Sequence, residues 1–114
     1  MLRYTVAFIM LIHGLVHFMG FAKAFNYGNI TQLTKDVSKT AGAFWFMTAW
    51  LFVVAVVLFF LKKDSWYIMG IIAAIISQVL IFTVWQDAKY GTIANAIILG
   101  AAITALASVN HGKL

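Results

Sequence analysis

Apolar side chains run almost unbroken through four stretches of the chain, about Tyr4 to Phe25, Gly42 to Leu61, Trp66 to Trp85 and Thr92 to Val109. Each matches the ~20 residues that carry an α-helix across hydrocarbon. A lipid-embedded backbone must pair its N–H and C=O groups within its own segment, so stretches of this kind are helices. Between them lie a linker from Asn26 to Ala41, two hairpin-sized turns and a short tail. The pattern predicts an all-α integral membrane protein, a compact left-handed four-helix bundle forming a single transmembrane domain over residues 1–114.

Two segments are open to other readings. Arg3, the apolar run and Ala22-Lys23-Ala24 together imitate a cleavable signal peptide. The run exceeds the ~7 to 15 residue apolar core of such a peptide and carries two histidines, so it is expected to remain as the first span. In the linker, Ile30, Leu33 and Val37 alternate with Lys35, Asp36 and Lys39, as in a short interfacial helix over about residues 30–38. Asn26, Gly28 and Asn29 suit an ordinary extracytoplasmic loop equally well.

Composition narrows the chemistry. Apolar residues make up 64% of the 114, and the eight Lys or Arg against three acidic residues give a formal charge of +5. The cations occur singly or as Lys62-Lys63 at segment ends, which suits headgroup anchoring and argues against nucleic-acid binding. Cysteine is absent, which removes disulfides, thiolate nucleophiles and sulfur ligands; proline is absent too, so proline kinks and the broken helices common in transporters lack their usual cause. Tyr4, Trp66, Tyr67, Trp85 and Tyr90 stand at segment ends and are expected in the interfacial aromatic belts. Arg3, Lys62, Lys63 and Lys113 share one side and Lys23, Lys35, Lys39 and Lys89 the other. Asp64 weighed against Asp36 and Asp87 favours the first group, so both termini are expected in the cytoplasm.

Small residues predict the packing. Ala96, Gly100 and Thr104 fall at four-residue intervals in the fourth segment, and Gly70 and Ala74 in the third, a spacing that lets backbones approach. The fourth segment is therefore expected to be the most buried and to pack on the third. The second carries Phe46, Trp50, Phe52, Phe59 and Phe60 with no small stripe and is expected to face lipid or a partner subunit.

Polar residues inside the spans mark the candidate site. His13 and His17 are one helical turn apart on a face continued by Gly20 and Ala24. An unpaired polar group at that depth costs about 1 to 3 kcal/mol, so both rings should turn inward, with Ser77 and Gln78 of the third segment as partners. Lys23 can snorkel or pair with Asp87 or Asp36. Metal or haem ligation by the pair is disfavoured: two ligands are too few, the chain has no glutamate, and the two imidazoles share one helix, whereas a bis-histidine haem takes them from opposite sides. Small multidrug transporters are similar in size and hydropathy, but they rely on a glutamate in the first helix, and no acid precedes Asp36 here. The plainest role for the histidines is to fix helix register by hydrogen bonding; a middle view has His13, His17 and Gln78 line a pocket for a lipid or quinone.

The run from His13 to Phe25, HGLVHFMGFAKAF, with Gly20 and Lys23, resembles the first-helix signature of DoxX-like membrane proteins. The four-span layout, Phe44-Trp45 at the second span and FTVWQD from Phe82 to Asp87 extend the likeness over the whole chain. The second histidine exceeds that pattern. The resemblance implies a four-helix bundle in the bacterial cytoplasmic membrane, sometimes an accessory to oxidoreductases or quinone-linked electron transfer. The expectation is a non-catalytic accessory or stabilising subunit of a larger membrane complex, without a cofactor. Its alternatives are a redox accessory holding quinone, lipid or haem with His13, His17, Gln78 and Lys23 lining the pocket, and a proton-coupled small transporter.

Overall fold

The computed structural model describes residues 2–28 and 37–112, with side chains for 4–28 and 37–108; most of the expected interfacial helix lies outside the described residues. Five helices and, among the described residues, no strand make up the fold: α1 (Leu2–Ala24), α2 (Lys39–Phe60), α3 (Trp66–Thr83), α4 (Trp85–Ala88) and α5 (Gly91–Gly112). All but α4 are long and apolar enough to cross a membrane, and the molecule measures 49 × 25 × 23 Å. That length is close to the ~40–45 Å of a bilayer with its headgroups, which suits a multi-pass membrane protein.

Local chemistry sets the helix ends. α1 closes with Asn26 in the left-handed region (φ 59°), where the N–H of Tyr27 reaches the carbonyl of Ala22 and that of Asn26 the carbonyl of Lys23. This is a Schellman cap, and asparagine is the commonest non-glycine residue to supply it. Lys62 (φ 60°) does the same for α2, with Lys63 N–H on Leu58 O. Ser38 starts α2 by accepting the Ala41 N–H on its hydroxyl at 3.1 Å. The third span ends two residues before the expected Trp85, because Val84 leaves helical geometry (φ −130°) and α4 begins a new turn there.

Around the bundle the order is α1, α2, α3, α5, and the seam between α1 and α5 is the thinnest. One expectation about packing holds in part and one is overturned. On α2, Phe46, Trp50 and Phe60 point outward as expected, but Phe52 and Phe59 are buried with Trp45, Ala49 and Ala55, and the helix is as enclosed as α1 and α3. Its large side chains are admitted by small residues on α1. A Cβ added to Gly14 would stand 2.6 Å from Phe52 Cβ, and one added to Gly20 would run into the Trp45 ring. α5, in turn, is the least buried span, with 17% of it enclosed against 39% for each of the others. It does pack on α3, but through Asn95, Ile98 and Ala102, while Ala96, Gly100 and Thr104 are exposed, the last two lining an open groove with Val6, Phe59 and Trp66, and a Cβ on Gly100 would meet nothing within 4 Å. Tyr67 also departs from its expected place in the aromatic belt and is buried.

Candidate functional site

α1, α3 and α5 meet in one polar cluster within an otherwise apolar interior, where His13, His17, Ser77 and Asn95 are all buried. One fixed point sets the directions of its hydrogen bonds. A backbone carbonyl only accepts, so His17 Nδ1–H donates to His13 O (2.6 Å), and Nε2 of the same ring is left as the acceptor. Ser77 Oγ–H donates to that nitrogen at 2.7 Å. The Ser77 oxygen accepts Asn95 Nδ2–H at 3.0 Å, and Asn95 Oδ1 accepts His13 Nε2–H at 2.8 Å. The circuit closes on itself: His13, Asn95, Ser77, His17 and back to the His13 carbonyl. A branch leaves it where the second Nδ2–H of Asn95 reaches Gln78 Oε1 (3.0 Å) and Gln78 Nε2 reaches Thr92 Oγ1 (2.9 Å).

Local sequence explains the placement. The i, i+4 spacing of the histidines stacks the rings on one face, with centroids 4.6 Å apart in a T-shaped arrangement. Glycine at position 14 lets Phe52 come close enough to edge both rings, at 5.2 and 5.4 Å, and Trp45 covers His17 at 5.1 Å. α2 thus adds no hydrogen bond to the circuit but encloses it in apolar rings, where each polar contact is stronger than in water.

Beside the circuit lies a cavity of about 180 Å³, walled by His13, His17, Trp45, Ile81, Asp87 and Gly91. Val16 and Tyr90 also line it, and both are exposed. Gly91, the first residue of α5, sits so near the His13 ring that an added Cβ would lie 3.2 Å from its Cε1. α1 continues for about three turns beyond His13, so α5 begins inside the bundle and the segment from Val84 to Tyr90 folds back over its start. Trp45 is 4% exposed, and its Nε1 is the single buried side-chain N or O among the described residues with no hydrogen-bond partner.

Of the residues singled out from sequence, His13, His17 and Ser77 come together directly, and Gln78 joins through Asn95. Lys23 takes no part in the circuit and does not line the cavity, because it stands about 9 Å further along the helix than His17. Gln78 and Ser77 likewise do not line the cavity. Asn95, Thr92 and Trp45 were missed. Asn95 carried a readable signal, a primary amide one turn inside a span, obscured by the small residues around it. Among the described residues no group of three or more His, Asp or Glu is placed to hold a metal ion. The chain matches no protein-family model, no curated protein and no solved structure.

Proposed function

We propose that this chain is a non-catalytic integral membrane protein of the bacterial cytoplasmic membrane, with both termini cytoplasmic, serving as an accessory or stabilising subunit of a larger membrane complex. The closed hydrogen-bond circuit carries this reading. Both ring nitrogens of His17 are spent on His13 and Ser77, both N–H groups of Asn95 are donated, and His13 Nε2 is bonded to Asn95, so these side chains hold α1, α3 and α5 in register. Interhelical hydrogen bonds in membranes contribute roughly 0.6 kcal/mol each, so the circuit gives more specificity than stability. The exterior supports the partner: exposed Phe8, Ile12, Phe46, Trp50 and Ile103 give the chain little to offer except lateral contact within the bilayer.

Native mass spectrometry of the chain extracted from its own membrane in a mild detergent tests the proposal. The expected result is a fixed-stoichiometry assembly with a second kind of chain, retained in the His13→Ala/His17→Ala variant at a temperature where that variant is folded. Recovery of the 12.7 kDa chain alone, or only as copies of itself, overturns the proposal.

A further inference from the structure

We infer that the groove between the second half of α5 and the α2–α3 turn is a binding site for one phospholipid whose headgroup carries a primary ammonium, as in phosphatidylethanolamine, with an acyl chain laid along α5 and the ammonium on the Asp64 carboxylate. The groove holds about 740 Å³ and is walled by Val6 of α1, Phe59 of α2, Trp66 of α3 and, on α5, Ile97, Gly100 and Ala101. That is several times the roughly 150 Å³ that takes up benzene, so a flexible chain fills it and a single ring does not. A Cβ on Gly100 would meet nothing within 4 Å, which leaves the space over α5 open.

Depth selects a lipid over a helix. From Ile97 to Ser108 the wall runs about 16 Å along α5. The hydrocarbon of a bilayer is ~30 Å thick, so the groove is one leaflet deep, whereas a partner's transmembrane helix needs a seat about twice as long. Toward the start of α5 the groove stops at Ile97, and the exposed Ile93 beyond it offers no small-residue seat. Polarity follows the same axis. The α5 wall is apolar at Ile97, Gly100 and Ala101 and polar at Ser108, and Asp64 stands at the same end of the bundle as Ser108. A groove that is apolar in its depth and polar at its mouth has the pattern of a phospholipid. Asp64 is the charged side chain of the wall, is exposed, and among the described residues has no ion-pair partner. It calls for a cation, and a primary ammonium brings N–H donors that a choline lacks. Lys62 and Lys63, exposed on the same turn, suit the adjoining phosphate. This inference stands apart from the accessory role, and either can fail alone.

Nanodiscs of equal parts palmitoyl-oleoyl phosphatidylethanolamine, phosphatidylcholine and phosphatidylglycerol provide the test. The chain is exchanged from them into a mild detergent and weighed by native mass spectrometry with its retained lipid. The expected complex is one chain with one phosphatidylethanolamine, favoured roughly threefold over phosphatidylcholine, the effect of one exposed ion pair. Asp64→Asn is expected to keep a lipid and lose the preference. Gly100→Leu, which fills the open space from an exposed position, is expected to lose the lipid while its unfolding midpoint stays with that of the unmodified chain. Equal retention of the three headgroups by the unmodified chain, or a preference that survives Asp64→Asn, overturns the headgroup assignment. Phosphatidylglycerol retained above the others does so too, since the lysines alone would then be reading an anion. Lipid retained unchanged in Gly100→Leu puts the acyl chain elsewhere and overturns the site, as does a lipid-free dimer lost in Gly100→Leu, which would show that a second copy fills the groove.

Discussion

At the residue scale, Asn95 has the greatest leverage, because one amide serves His13, Ser77 and Gln78 at once. Asn95→Ala leaves the buried His13 N–H with only the Ser77 oxygen, 3.4 Å away, and removes a donor from both Ser77 and Gln78, whereas Thr92→Ala releases a single bond at the half-buried edge of the network. A stranded buried polar group costs about 1 to 3 kcal/mol, against about 0.6 kcal/mol for one interhelical bond. Thermal unfolding in detergent should therefore place Asn95→Ala well below Thr92→Ala, and equal midpoints would show that the circuit does not hold the helices. The histidines and Ser77 were legible in the sequence because hydrocarbon makes any polar side chain at mid-span conspicuous. Asn95 was not. Its neighbours Ala94, Ala96 and Gly100 suggested a packing stripe, and nothing in a single helix tells which side of such a stripe faces in.

At the element scale, the polar group decides that question. Burying Asn95 brings Ile98 and Ala102, three and seven positions on, into the interior and leaves Ala96, Gly100 and Thr104 exposed rather than in helix–helix contact. The expectation that α5 would be the most buried failed for this reason: the cost of an unpaired amide outweighs the gain from close backbone approach. The second helix was legible only on its outer face, by a related route. Its bulk suggested a lipid face, yet the small residues that admit Trp45 and Phe52 belong to α1, so complementarity between two helices was invisible along either one. A paired substitution follows. Gly14→Ala drives a methyl to 2.6 Å from Phe52 Cβ, an atom tied to the backbone, and should destabilise by about 1 to 3 kcal/mol through overpacking. Gly100→Ala meets nothing and should be neutral or stabilise by up to about 1 kcal/mol through helix propensity. Unfolding titrations of the two variants check the contrast, and a destabilised Gly100→Ala would mean that Gly100 lies against a neighbouring helix.

At the scale of the whole molecule, four crossings were legible because length and apolarity alone fix them, and their even number sets a constraint independent of any side chain. The N-terminus of α1, the turn at Lys62–Asp64 and the end of α5 share one end of the bundle, while Tyr27, Lys39 and the α4 segment share the other. By sequence the cations divide four and four between the two ends, and Lys23 belongs to α1 rather than to a loop. The remaining bias comes from Lys62 and Lys63, adjacent and exposed at one helix end, where a surface potential of anionic lipid favours each by about 1 kcal/mol. The chain has no cysteine, so a single introduced thiol reports one position without background. Lys63→Cys in intact cells should resist an impermeant maleimide while Tyr27→Cys reacts, and permeabilisation should expose the first. Reaction of both from outside would break the four-span topology. The opposite pattern, Lys63→Cys open and Tyr27→Cys protected, would keep the bundle but turn it over in the membrane.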